Sequence, residues 1–79
     1  MNLLCFGIAK EIIGTANFVL SDDASITNVA DLKQYLRQTY PEFHNYKDFR
    51  VAVNQAFAED TTPISPTDEI AIIPPVSGG

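Results

Sequence analysis

One cysteine, Cys5, occurs in the 79 residues. That excludes an intramolecular disulfide and any cysteine-only metal cluster, the four-thiolate cluster of a ferredoxin included. Basic residues are scarce, five Lys and Arg against ten Asp and Glu, for a formal net charge of −5. Nucleic-acid affinity rests on Lys and Arg neutralising phosphate, so no nucleic-acid partner is expected. The shortage is sharpest from Val51 to Gly79, which holds Glu59, Asp60, Asp68 and Glu69 and no Lys or Arg. This third is expected to present a negative face to a basic partner. No apolar run approaches a membrane span, and no membrane partner is expected. The start, Met1-Asn2-Leu3-Leu4-Cys5-Phe6-Gly7, lacks the basic segment and small-residue cleavage site of a signal peptide. The expected location is cytoplasmic. A G-x-x-x-x-G-K-[ST] loop is missing, so nothing in the chain is built to bind ATP. His44 is the lone histidine and has no second His or Cys for a metal site; it reads as a surface residue. Neither a triad nor paired carboxylates in an evident cleft is present. A chain this short forms one compact domain with little room for a catalytic pocket. An enzyme acting alone is therefore the least favoured class, and neither a bound cofactor nor a metal is expected.

What the chain does have is alternating apolar segments. Leu3 to Phe6 reads as a buried strand. Ala9, Ile12 and Ile13 recur at helical spacing, and Gly14 ends that short helix because glycine tolerates a left-handed backbone. Asn17 to Leu20 reads as a second strand, closed by Ser21-Asp22-Asp23. Asn28 reads as a helix N-cap with Asp31 three residues on, and Val29, Leu32 and Leu36 form an apolar stripe with Tyr35 or Tyr40. Pro41 disfavours helix at Tyr40, and Pro41 to Asp48 reads as a loop. Phe49 to Phe57 reads as a strand in which Val51 and Val53 alternate against Arg50 and Ala52, with a hairpin tip at Asn54-Gln55 and a return through Ala58. Pro63 and Pro66 keep Glu59 to Thr67 out of any central strand. Ile70 to Ile73 is the last strand. Strands segregated around one main helix give an α+β layer fold. The first and last strands are the most apolar, which places them side by side at the sheet centre. The expected architecture is thus a β-grasp (ubiquitin-like) fold, a mixed sheet packed on one main helix, over residues 1–73, with an extended functional tail over 74–79.

The tail is Pro74-Pro75-Val76-Ser77-Gly78-Gly79. Two prolines without N–H groups stop a sheet ladder and hold the next residues extended. Two glycines carry no side chain and fit a channel too narrow for other residues. Six residues at about 3.3 Å each reach roughly 20 Å. Such an arm suits delivery of the Gly79 carboxylate into another protein's active site. A carboxylate is unreactive toward nucleophiles until an oxygen becomes a leaving group, so an ATP-using partner would first form an acyl-adenylate. A sulfur donor would then convert it to a thiocarboxylate, a strong nucleophile.

These residues resemble the small subunits of molybdopterin synthase, a family of ubiquitin-like sulfur carriers. The resemblance covers essentially the whole chain. It is carried by Phe6-Gly7, Lys10-Glu11 and Gly14, then Val53-Asn54-Gln55, Asp68-Glu69-Ile70-Ala71, and the terminal Pro74-Pro75-Val76-Ser77-Gly78-Gly79. Two positions depart from it: Lys10 stands where the family commonly has Arg, and Thr67 where it has Gly, which implies a different turn. The resemblance implies that an adenylyltransferase related to ubiquitin-activating enzymes activates Gly79 with ATP and that a sulfurtransferase supplies sulfur. It also implies that the thiocarboxylated tail enters a large synthase subunit. There it gives sulfur to cyclic pyranopterin monophosphate, within an assembly of two small and two large subunits. On this reading the chain is a sulfur-carrying subunit in molybdenum cofactor biosynthesis. Carriers for thiazole or tRNA thiolation, and protein modifiers joined to lysines, share the Gly-Gly end.

Phe6, Phe57 and Ile73 align with the family's apolar contact patch and equally suit simple core packing, since apolar residues mark an interface only when contiguous and exposed. Asp68 and Glu69 read either as a docking contact for the activating enzyme or as a solvated turn. Cys5 reads as a small buried hydrophobe rather than a sulfur relay.

Overall fold

The computed structural model describes residues 1–20, 25–46 and 48–74. Along the chain they form β1 (Asn2–Cys5), α1 (Gly7–Ile13), β2 (Asn17–Val19), α2 (Val29–Thr39), a 3₁₀ turn (Pro41–Asn45), β3 (Arg50–Val53), β4 (Ala56–Ala58) and β5 (Glu69–Ile73). One five-stranded sheet has the order β2-β1-β5-β3-β4. β1 and β5 run parallel at its centre, with Cys5 opposite Ile72, and the remaining pairs are antiparallel. The central placement follows from composition: these strands are apolar on both faces, and a strand with neighbours on each side exposes no backbone edge.

Local chemistry sets the ends of the elements. Phe6 is extended (φ −124°, ψ 152°), and Gly7 adopts φ +54°. The left-handed step turns the chain out of β1 one residue earlier than the apolar run implies. Gly14 ends α1 at φ 96° and its N–H donates to the Lys10 carbonyl at 2.7 Å. β2 stops at Val19, although the Leu20 N–H still donates to the Met1 carbonyl at 2.9 Å. Asn54 and Gln55 both take positive φ, 52° and 71°, the two-residue hairpin geometry whose twist matches the strands.

α2 is capped as its sequence anticipates. The Asn28 side chain accepts from the Asp31 N–H at 2.9 Å, and the Asp31 carboxylate accepts from both the N–H and the hydroxyl of Thr27 at 3.0 Å. Val29, Leu32 and Leu36 are fully buried and join Leu3, Cys5, Ile70, Ile72 and Val51 in one core. Pro41 to Asn45, read as loop, is a 3₁₀ turn that drives Phe43 into that core. The ring of Phe43 lies 4.9 Å from that of Phe49 and meets Tyr40 edge-on at 6.4 Å. Ala52 is also buried, although it sits on the face of β3 opposite Val51. Five strands, one main helix in the core and a parallel central pair make this the β-grasp arrangement.

A second lock joins the β3–β4 hairpin to the start of β5. Asn54 donates from Nδ2 to the Asp68 carboxylate at 3.1 Å, and its Oδ1 accepts the Glu69 N–H at 3.0 Å. The other Asp68 oxygen accepts the Ser65 N–H at 2.8 Å. Hydrogen bonds from Ser65 and Asn54 hold the Asp68 carboxyl below its usual range, and those from Thr27 do the same for Asp31. A carboxyl lowered in the folded state binds its proton more readily unfolded. Its stabilisation is therefore complete above the ordinary aspartate pKa and is lost as pH falls through the folded value. Chemical denaturation is expected to show stability dropping below about pH 4, with a shallower drop in Asp68→Asn. An identical acid limb in that variant would show that Asp68 has no part in the acid sensitivity.

Candidate functional site

Every second residue of a strand faces away from the core, and here that outward face is apolar. The register sets Leu4 of β1 against Ala71 of β5, Ala71 against Ala52 of β3, and Ala52 against Phe57 of β4. Arg50 stands opposite Ile73. Beyond β1, Phe6 continues the same side. Alanines at the two middle positions leave the centre low, while Phe6 and Phe57 rise at either end. The result is a concavity of about 250 Å³ lined by Leu4, Phe6, Ala52, Phe57, Ala71 and Ile73, with Gln55 and Glu69 supplying its polar edge. Phe6 is 52% and Phe57 61% exposed. A solvated apolar floor on a sheet face, with the Glu69 carboxylate at its edge, has the character of a surface that a partner protein covers.

Of the residues singled out from sequence, Phe6, Phe57, Ile73 and Glu69 come together here. Phe6 and Phe57 are not part of the core. The Arg50 guanidinium stacks 4.4 Å from the Phe57 ring centroid, holding the ring with a cation–π contact and bringing positive charge to the rim. Asp68 precedes Glu69, but its carboxylate is turned into the Ser65–Asn54 lock. The turn anticipated at Thr67 runs from Ser65 to Asp68, whose N–H donates to the Ser65 carbonyl at 3.0 Å. Leu4, Ala52, Ala71 and Arg50 were not anticipated as part of this surface. The available signal was that Leu3-Leu4-Cys5 and Ile70-Ala71-Ile72 are apolar on both faces, more than one helical layer can cover.

Pro74 follows β5 directly and is half-buried. The roles read for Pro75, Val76, Ser77, Gly78 and Gly79 lie outside the described residues. Cys5 faces the core, 2% exposed, and burial pushes its thiol pKa up. A protonated thiol without access is a poor nucleophile, which fits packing rather than relay. His44 is exposed. Among the described residues no group of three or more His, Cys, Asp or Glu could hold a metal ion, and no helix is long and apolar enough to cross a membrane.

A family model, the ThiS family, matches residues 3–79. The chain belongs to the ThiS family. A molybdopterin synthase sulfur carrier subunit from Aedes aegypti is 35% identical over 86 residues, covering 100% of this chain and 88% of the relative. Another from Mycobacterium tuberculosis is 32% identical over 80 residues, covering 100% and 96%. Among solved structures, the small archaeal modifier protein 1 from Methanosarcina acetivorans superposes with a TM-score of 0.75 at 26% identity, covering 99% of this chain and 94% of that one. A chain from the complex of subunits 1 and 2 of the molybdopterin-converting factor of Helicobacter pylori superposes with a TM-score of 0.64 at 23% identity, covering 99% and 96%. The resemblance read from the sequence motifs holds at the level of family and fold, and this family member shares its ubiquitin-like body with both structures.

Proposed function

We propose that the chain is the sulfur carrier of a molybdopterin synthase, with the sulfur held as a thiocarboxylate on Gly79. The observation that carries this reading is that the family match extends from Leu3 to Gly79, alongside relatives named for that role. The chemistry proceeds in three exchanges. A Gly79 carboxylate oxygen attacks the α-phosphorus of ATP in an adenylyltransferase, releasing pyrophosphate. The persulfide of a sulfurtransferase attacks the acyl carbon and displaces AMP, and a thiol then reduces the resulting acyl disulfide to release the thiocarboxylate. Within the large subunit the thiocarboxylate sulfur bonds to a carbon of cyclic pyranopterin monophosphate as an oxygen substituent on that carbon leaves, and hydrolysis of the resulting thioester keeps the sulfur on the pterin and returns the carboxylate. The chain itself holds no cofactor; ATP is consumed on the activating partner, and two copies of the chain assemble with two large subunits. The expected setting is the cytoplasm.

The open sheet face is the natural seat for the large subunit. It lies beside the strand end that leads into the tail, so docking there also aims the tail. Interface anchors of this kind are commonly aromatic and central. Phe57→Asp is expected to weaken binding of the large subunit by about 30-fold or more, the loss typical of a hot-spot aromatic. Its thermal midpoint is expected to stay within a few degrees of wild type, because the ring is mostly solvated. Undiminished binding in calorimetric titration, or an unfolded variant, would place the interface elsewhere. For the carrier role, the purified chain with its activating enzyme, ATP and a sulfur donor should yield thiocarboxylate at Gly79; no product would contradict it.

The similarity to a small archaeal modifier protein favours a second reading. The same activated carboxylate can acylate a lysine amine instead of accepting sulfur. Isopeptide-linked conjugates of the chain in its native cell would identify that use.

A further inference from the structure

We propose that Gly7 is a positioning residue that sets where the tail leaves the body. The inference rests on the carrier reading above and adds a residue to it. β1 and β5 are parallel neighbours with Cys5 opposite Ile72, so both strands end at the same edge of the sheet. Phe6 and Gly7 then run beside Ile73 and Pro74. The two residues before the junction, Phe6 and Ile73, belong to the apolar face. The two at the junction decide the direction in which the chain departs from that face.

Two observations single out Gly7. Its φ is +54°, the left-handed region, and a Cβ built there would lie 3.3 Å from Pro74 Cγ. That distance is tighter than ordinary contact, so one side must yield by a few tenths of an ångström. The Gly7 side is held from behind. Ala9, two residues on, is fully buried, its N–H donates to the Phe6 carbonyl at 3.0 Å, and the Cys5 N–H donates to the Ala16 carbonyl at 2.8 Å. Pro74 is only half-buried and has no N–H to tie it to the ladder, so Pro74 is what moves. A shift at the root matters because five residues separate Pro74 from the Gly79 carboxylate, a reach of at most roughly 16–18 Å over which a change of direction is magnified. The activating and accepting sites require the terminal carbon within a fraction of an ångström of its productive place. A bare α-carbon at position 7 thus lets the proline ring sit close and fixes the exit relative to Phe6 and Ile73.

The test compares Gly7→Asn with wild type, because asparagine tolerates a left-handed backbone while carrying the offending Cβ. Two readouts separate positioning from docking: the rate of thiocarboxylate formation by the activating enzyme, and affinity for the large subunit. The rate is expected to fall at least about tenfold while affinity stays within about twofold. In a Pro74→Ala background, which lacks Cγ, the same substitution is expected to cost less than about twofold, the non-additivity that reports direct coupling. D-alanine at position 7, introduced by chemical synthesis, keeps the positive φ and points its methyl away from Pro74; it should react at the wild-type rate. An unchanged rate in Gly7→Asn, the same loss in both backgrounds, a parallel fall in affinity, or a slow D-alanine protein would each overturn the proposal. A wild-type chain that acquires no thiocarboxylate would instead refute the carrier reading, so the two failures are distinguishable.

Discussion

Adding one residue after Gly79 is expected to reduce thiocarboxylate formation to background. The extension converts the acid that must attack ATP into an amide, whose oxygen is a far weaker nucleophile and whose carbon carries the wrong leaving group. The carboxylate of the added residue lies about 3.5 Å beyond the productive position and carries a side chain into the channel, so the expected effect is near-abolition. Replacing Gly78 or Gly79 with Val keeps the acid and tests the channel instead. A branched side chain displaces the reacting atoms from the roughly 3–3.5 Å approach that transfer needs, and a misplacement of about 1 Å costs roughly a hundredfold in rate. Binding of the large subunit is expected to weaken far less in all of these variants, because the face formed by Leu4, Phe6, Ala52, Phe57, Ala71 and Ile73 is untouched. Parallel loss of binding and transfer would mean that the tail, not the sheet face, supplies the affinity.

Phe43→Ala is expected to be the most destabilising single change outside the sheet. The ring is 1% exposed and packs against both Phe49 and Tyr40. Truncating a buried phenylalanine typically costs about 3–5 kcal/mol, part lost transfer free energy and part the cavity left behind. A domain of this size has roughly 4–12 kcal/mol in all. Urea denaturation should therefore show a variant with much of its stability gone and a partly unfolded population. A loss below about 1 kcal/mol would show that the 3₁₀ turn is a cover rather than a part of the core.

The same turn shows where sequence reasoning stops. α2 was readable because its cap and stripe are local: Asn28, Asp31, Val29, Leu32 and Leu36 lie within nine residues, and the contacts among them follow from helix spacing alone. The central pair β1–β5 was readable because an apolar run in a strand needs cover on both faces. Pro41-Glu42-Phe43-His44-Asn45 offers one apolar residue among polar ones, which defines no period, so its burial depends on where Phe49 and Tyr40 arrive from elsewhere in the chain. Ala52 reads as an outward position, and it does face outward; it is nevertheless buried, a small side chain flanked in register by Ala71 and Phe57 of the neighbouring strands. Register is a long-range property, and no local pattern encodes it. The candidate site divides in the same way. Phe6, Phe57 and Ile73 were identified by likeness to a family, whereas the alanine floor between them has no signature of its own. Asp68 looked available for docking because an acid beside Thr67 reads as solvated. Its carboxylate is instead held by Ser65 and Asn54, the latter fourteen residues away.

Intact mass spectrometry of the protein purified from its native cell tests the central claim most directly. The predicted spectrum contains a fraction in which one oxygen has been exchanged for sulfur. That mass gain nearly equals the addition of one oxygen, so oxidation of Met1 or Cys5 must be separated from it. Fragment ions that place the change on Gly79, and its disappearance in a Gly79-extended protein, are the predicted result. A population carrying only unmodified Gly79 under conditions where molybdopterin is being made, or a Gly79-extended protein that still delivers sulfur without trimming, would contradict it.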